Sequence, residues 1–317
     1  MQMKRTIAKI LTTVFLVMVC SACEMETKKN FSRVELSVGE WSVSESEKIS
    51  SLNKQKEVFE KQNPNITIVP DVWSFDIKTF YPKLEAGLLP NVFRTFFTES
   101  KRLIDGGYLA DLTDVLKERG YYDKYNERLL DVISKDGKIY AMPSDVYLIG
   151  LVYNTDMYEA AGLVEPDGTP KQPENWNELA EFAVKIKEAT GKPGFALTTA
   201  DCDGGWLLTN IAWSYGVDFM EQDEKGKWWA TFNTPEMVET LKFVSDLKWK
   251  YDVLPEITYI DQHEQRRMYS NGEVGMILNA PFINLEMVKY KADPKMFGMM
   301  AIPAGPKRHI ALLGGVL

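Results

Sequence analysis

From residue 31 onward, short apolar runs alternate with amphipathic stretches, the pattern of an α/β fold. Val34 to Val38 reads as a first strand. A capping box at Ser44 and Glu47 opens a helix with Ile49, Leu52 and Phe59 on one stripe, which stops before Pro64. Ile66 to Val72 reads as a second strand. Thr155 is placed to cap a short helix that closes at Gly162. Trp176, Leu179, Ala183 and Ile186 make one face of a further helix, ending at Gly191 ahead of Pro193. Thr234 and Pro235 open another, with Val238, Leu241 and Leu247 predicted to face inward. Between Val217 and Phe232 the acidic tip EQDEKGK separates two aromatic-rich runs and predicts a hairpin. One stretch breaks the rule. In GKIYAMPSDVYLIGLVYNTDMYEAAG, residues 137–162, the polar step Ser144, Asp145 and Tyr147 interrupts a run that a strand buried on both faces would keep apolar. That step predicts a crossing between two lobes, with its polar side chains facing a cleft.

The amino end changes this picture. Lys4, Arg5 and Lys9 precede an apolar core from Ile10 to Val19, about half the roughly twenty residues a membrane-spanning helix needs. The run then reaches Cys20-Ser21-Ala22-Cys23, which is similar to a bacterial lipobox cleaved before Cys23, with a lipid on its thiol. Cys20 stands where leucine is usual, and ordinary secretory cleavage after Ala22 is the alternative. Residues 1–22 are thus expected to be a signal peptide and 23–32 a polar tether, placing the protein outside the cytoplasm on the cell membrane. The leader holds three basic and no acidic residues, so the mature chain keeps 34 basic against 45 acidic side chains, a net charge of −11. Nucleic acid is disfavoured as a partner, because phosphate binding needs a basic surface. Cys202 is then the one free thiol, which excludes an internal disulfide.

Catalytic signatures are absent: the chain has no GxSxG, HExxH, phosphate-binding loop or GxGxxG. Its two histidines, His263 and His309, have no partner at metal-ligand spacing, and the run DQHEQRR reads as a solvated helix start. Asp201-Cys202-Asp203-Gly204-Gly205 lacks the later ligands of a calcium loop and reads as a tight polar turn. No metal, cofactor or catalytic residue is assigned.

Eight ordered stretches nevertheless resemble one family. These are FEKQNPNI from Phe59, LEAGLLPNV from Leu84, GGYLADL from Gly106, the Gly137 segment, PENWNEL from Pro173, FNTPE from Phe232, Tyr269 to Ile277, and Phe297 to Pro306. Together they resemble family 1 bacterial extracellular solute-binding proteins, the carbohydrate-binding components of ABC importers, related to maltose-binding protein. Asn91 departs from the family's usual aspartate. The resemblance implies a two-lobed α/β fold of the type II periplasmic-binding-protein kind, its lobes joined by crossover hinge strands. On that basis residues 33–143 form an amino-terminal lobe, 144–147 a first crossing, 148–311 a second lobe and 312–317 a second crossing. The apolar finish Ala311 to Leu317, with no closing helix, is then expected to precede roughly a hundred further residues returning to the first lobe.

Sugars offer apolar faces rimmed by hydroxyls, so their sites pair aromatic rings with carboxylates and amides. Glu40 and Trp41 follow the first strand and Trp73 follows the second, at a carboxyl edge where α/β ligands sit. The resemblance adds Asp145 and Tyr147 at the crossing, Trp206 after Asp203, and Asn279 with Phe282 where the family usually has tryptophan. Trp176, Trp213, Trp228, Trp229 and Trp249 read as core or hairpin residues. The partners implied are a sugar or oligosaccharide, permease subunits, and the membrane through the lipid on Cys23, with the protein itself a monomer. Two other readings stay open: a binding protein for a polyamine or peptide, and an enzyme similar to thiaminase I on the same scaffold. Tyr147 occupies the position of that enzyme's nucleophilic cysteine, which argues against covalent catalysis.

Overall fold

The computed structural model describes residues 33–43 and 46–317, with the backbone alone for 46, 47 and 201–203. The capping box at Ser44 and Glu47, the lipidation candidate Cys23 and the side chain of Asp203 lie outside what it describes. The chain divides into two compact units, Met1–Thr95 and Phe96–Leu317.

In the first unit, β1 (Val34–Val38) and β2 (Ile66–Pro70) pair in parallel, with Val34 opposite Ile66 and Val38 opposite Pro70. They are joined through α1 (Ser46–Gln62). The helix is tied to β2 by polar groups: Lys56 Nζ donates to the Ile68 carbonyl at 2.6 Å, and Glu60 Oε1 accepts from the Ile68 amide at 2.8 Å. α2 (Ile77–Glu85) is capped by Asp76, whose carboxylate accepts from the Lys78 amide, and it buries Phe80 among the rings of Trp73, Phe75, Tyr81 and Phe93.

The second unit starts with α3 (Phe97–Asp105), α4 (Thr113–Glu118) and α5 (Glu127–Ile133), followed by the hairpin of β3 (Ser134–Lys135) and β4 (Lys138–Ile139). Leu116, Ile133 and Ile139 form a small core there. β5 (Asp145–Leu148) then leads into β6 (Gly150–Asn154). Next come α6 (Thr155–Ala160), α7 (Trp176–Thr190), β7 (Phe195–Ala196) and α8 (Asp201–Tyr215). A hairpin of β8 (Met220–Gln222) and β9 (Trp228–Ala230) precedes α9 (Pro235–Trp249) and α10 (Gln262–Ser270). The series ends with β10 (Met276–Asn279), α11 (Ile283–Met287), β11 (Phe297–Met300) and β12 (Leu313–Val316).

Four strands make the main sheet in the order β11-β6-β10-β7, with β6 antiparallel to both neighbours and β10 parallel to β7. Every residue of β6 and β10 is buried, which is why GLVYN and MILN show no polar alternation. Alternate residues serve different cores. Leu151, Tyr153, Met276 and Leu278 pack with Tyr158, Trp176, Leu179 and Phe243 on one face. Val152 and Ile277 pack with Met268, Tyr269, Ile283 and Met287 on the other. β5 pairs instead with β12 in a separate antiparallel ribbon, Tyr147 opposite Gly314 and Asp145 opposite Val316. Gly150 to Asn154 is therefore the buried strand, and the polar step lies on the ribbon before it. α3 belongs to this unit because it packs on the ribbon: Phe96 bridges to Val316, and Phe97 fills the space a Cβ on Gly315 would occupy.

Four local expectations need correction. Asn154, not Thr155, caps α6, its side chain accepting from the Met157 amide at 3.0 Å while Thr155 donates to the Lys295 carbonyl. Thr240, Phe243 and Leu247 are buried on α9, whereas Val238 and Leu241 face solvent, because the phase set at Pro235 turns them outward. Residues 201–205 form the first turn of α8 rather than a loop. Trp249 is 81% exposed at the end of α9 and so belongs to no core. His263 does lie in the first turn of α10, exposed, with Asp261 as the cap.

The loop before β12 is strapped to α8 and α9. Arg308 reaches both Asp218 oxygens at 2.9 Å, Lys307 Nζ sits 2.8 Å from Glu236, and the amides of both basic residues donate to the Ser214 carbonyl. The hydrogen bond from Lys307 holds the Glu236 carboxyl down to about 2 from an ordinary value of 4.5. A carboxylate depressed on folding adds stability that is complete above its unfolded value and fades as pH falls toward the folded one. The melting temperature should therefore drop between pH 4.5 and 2, and more shallowly in Glu236→Gln. Identical pH slopes for the two proteins would remove Glu236 from the acid response.

Candidate ligand-binding site

In the first unit the chain beyond β1 stays hydrogen-bonded to the chain beyond β2. Gly39 donates to the Val92 carbonyl at 2.8 Å, Glu40 to that of Trp73 at 2.7 Å, and Trp41 to that of Asp71 at 2.9 Å. Glu40, Trp41 and Trp73 are thus gathered at the carboxyl edge of β1 and β2. Glu40 adopts a left-handed backbone, with φ of 58°, which is uncommon for a residue other than glycine. Its carboxylate pairs with Arg94 at 3.1 Å. Trp41 is buried. Trp73 is half-buried and stacks on Phe80 at 6.0 Å, while its indole N–H is buried with no acceptor among the described residues.

In the second unit three of the candidate residues converge. Tyr147 of β5 meets Trp206 of α8 edge-on, with ring centroids 6.4 Å apart and planes at 73°. It meets Phe282, just before α11, at 5.3 Å and 85°. All three are half-buried. The Tyr147 ring lies over Gly314, its partner in the ribbon: a Cβ there would stand 2.3 Å from Tyr147 Cε2. Glycine at 314 is what lets the ring lie across the ribbon and reach the other two. Asp145 begins the same strand, exposed, its carboxylate accepting from the Ser144 hydroxyl at 3.0 Å. Asn279 is buried at the end of β10. Its side-chain amide donates to Gln265 at 3.2 Å and its carbonyl accepts from the Ala280 amide at 2.9 Å, so its polar groups are engaged within the protein.

Arg266 was not singled out from sequence, where it sits inside the polar run DQHEQRR. Its guanidinium lies 5.0 Å from the centre of the Phe282 ring, in cation–π contact, and its Nη2 donates to Gln262 at 2.6 Å. The signal available was helical phase: Gln262 and Arg266 are four residues apart on the turn next to buried Gln265. Among the described residues no group of three or more histidine, cysteine or acidic side chains could hold a metal ion. No described helix is long and apolar enough to cross a membrane.

The second unit thus joins a mixed sheet buried on both faces to a separate two-strand ribbon that carries an aromatic cluster. Residues 43–315 match the family described as bacterial extracellular solute-binding protein, and the chain belongs to that family. A binding protein of Brucella abortus (strain 2308) is 27% identical over 256 residues, covering 79% of this chain and 59% of that protein. YcjN of Escherichia coli (strain K12), named for an ABC-transporter periplasmic-binding role, is 28% identical over 293 residues, covering 88% and 62%. The chain thus spans about three fifths of the length of these curated relatives. Among solved structures, maltose-bound MalE3 of T. maritima superposes with a TM-score of 0.70 at 27% identity, over 89% of this chain and 71% of that one. The fold class is that of type II periplasmic binding proteins, as the sequence motifs implied.

Proposed function

We propose that this protein captures a sugar or oligosaccharide outside the cytoplasm and delivers it to the permease of an ABC importer. The observation that carries this reading is the convergence of Tyr147, Trp206 and Phe282, from three distant segments, into one half-buried aromatic cluster. Such rings cover the apolar faces of a pyranose, while Asp145 on the same ribbon suits its hydroxyls. MalE3, with maltose bound, supports a saccharide as the solute class. The ribbon of β5 and β12 is the hinge in this reading, with residues 144–147 and 312–317 as its two crossings. Ligand then favours the closed arrangement by touching groups on both sides of the hinge. Glu40, Trp41 and Trp73 of the first unit, and Asp203 three residues before Trp206 in the sequence, are further candidates for contact with the solute. The protein acts by binding and release, not by catalysis, as a monomer held to the membrane by lipid on Cys23.

A thermal-shift screen against mono- and oligosaccharides, with spermidine and thiamine included, tests the solute class. Binding to the native state alone stabilises by about 2.7 kcal/mol at a hundredfold excess over Kd. A rise with one sugar class is the expected result; a flat sugar panel beside a shift with spermidine, or turnover of thiamine, would overturn it. In the same strain, Cys23→Ser should move the protein from the membrane fraction to the soluble one. Equal membrane retention by the two forms would exclude the anchor.

A further inference from the structure

On the face of α8 that carries Trp206, a second group meets the ribbon. Asn210 lies four residues further on, one helical turn away on the same face. It is fully buried, and both ends of its side chain are used. Oδ1 accepts from the Leu312 amide at 2.8 Å, and Nδ2 donates to the Leu207 carbonyl at 3.1 Å. Leu312 is the root of the ribbon. Pairing of β12 with β5 starts one residue later, at Leu313 opposite Leu148, and the Leu312 carbonyl accepts from the Ile149 amide at 3.0 Å. The Leu312 side chain is packed in the larger core, and its N–H finds an acceptor on α8, not on β5. A buried asparagine in mid-helix is a poor choice for stability alone, since leucine has the higher helix propensity and no polar group to desolvate. The spacings suggest what it does. Four residues of helix rise about 6 Å, and two residues of strand, Leu312 to Gly314, advance about 7 Å. The bond at Asn210 thus sets Gly314, and Tyr147 across from it, against Trp206.

We propose that Asn210 is a positioning residue for solute capture: by anchoring the root of the ribbon to α8, it fixes the approach of the Tyr147 ring to Trp206. This rests on the sugar-capture reading and deepens it: Tyr147 and Trp206 hold the solute, and Asn210, itself out of reach, keeps them ready. Without Asn210 the buried Leu312 amide loses its acceptor and the root is free to shift. The two rings must then be ordered each time solute binds, which costs roughly tenfold in affinity.

Two readouts on the full chain test this. The near-ultraviolet circular dichroism of the parent, less that of Trp206→Phe, isolates the band that Trp206 contributes beside Tyr147. Asn210→Ala should lose most of that band. Asn210→Asp should keep it, because desolvation holds the buried carboxyl neutral and its oxygen still accepts from the Leu312 amide. Calorimetric titration with maltose, the sugar held by MalE3, should show roughly tenfold weaker binding in Asn210→Ala and binding within about threefold of the parent in Asn210→Asp. If Asn210→Ala fails to fold, amide exchange in Tyr147→Ala decides, since a brace between root and ring works in both directions. Losing the ring should speed exchange at Leu312 more than at the amides of β10; equal acceleration at both overturns the inference. An intact band in a folded Asn210→Ala of lower melting temperature also overturns it, because Asn210 would then serve stability alone. So does equal maltose binding by the parent and Asn210→Ala. A parent that binds no maltose counts against the saccharide reading, and the dichroism then decides the role of Asn210 by itself.

Discussion

Tyr147→Ala should weaken solute binding by roughly thirtyfold, about 2 kcal/mol, the loss expected for an aromatic anchor at the centre of a contact surface. Two effects add. The ring itself disappears from the solute's path, and Trp206 and Phe282 lose the edge-on neighbour that fixes them, pairs worth about 0.5–1.5 kcal/mol each. Tyr147→Phe keeps both pairs and should bind nearly as well as the parent. Gly314→Ala should reproduce much of the defect without touching an aromatic residue. The backbone of Gly314 is outside the left-handed region, so alanine strains nothing there, but its Cβ would stand 2.3 Å from Tyr147 Cε2 and must push the ring aside. The two changes act through one ring, so the double variant should be little worse than Tyr147→Ala alone. Titration of the solute found in the screen measures all four variants. Unchanged affinity in Tyr147→Ala would remove the cluster from the binding site, and strict additivity would break the link between ribbon and ring.

The fold was legible wherever one physical signal dominated. β6 and β10 announce themselves as unbroken apolar runs because both faces are covered, and α7 ends at Gly191 because a left-handed residue, φ 70°, closes it. Reading failed where two signals competed. α9 carries apolar side chains around most of its circumference, so spacing alone could not choose between the Val238–Leu241 side and the Phe243–Leu247 side. Asp201 to Gly205 has the composition of a turn, yet Gly204 is glycine for another reason: a Cβ there would stand 2.9 Å from the Thr199 backbone. That close approach is a tertiary fact. The site divides in the same way. Trp41 and Trp73 could be placed at a strand edge from their order in the chain, whereas the meeting of residues 147, 206 and 282 depends on topology and became visible through family motifs alone. Arg266 had only its helical phase, four residues from Gln262. Its significance comes from what lies beneath it.

Gly194→Ala should be among the most damaging single changes to stability. The start of β7 passes so close to α7 that a Cβ on Gly194 would sit 2.0 Å from the Ala183 carbonyl oxygen and 2.4 Å from its Cα. Those are backbone atoms in the middle of a helix, so no side-chain rotation can relieve the clash. Next door, the Gly275 amide donates to the Pro193 carbonyl at 3.0 Å, and a Cβ on Gly275 would meet Ile186 on the same helix at 2.7 Å. The two glycines form the seat on which α7 brings Trp176, Leu179, Phe182 and Ile186 into the larger core. Lifting the helix opens that core along its length. The cost should therefore reach or exceed the upper end of ordinary overpacking, about 3 kcal/mol. Gly205→Ala is the matched control: it lies in α8 with nothing within 4 Å of its Cβ position. There alanine should stabilise by about 0.5–1 kcal/mol, by cutting the entropy glycine loses in a helix. Thermal melts of the two variants should move in opposite directions. A Gly194→Ala melt within a degree or two of the parent would mean that α7 can shift on the sheet, and the close seat would not be what holds the core together.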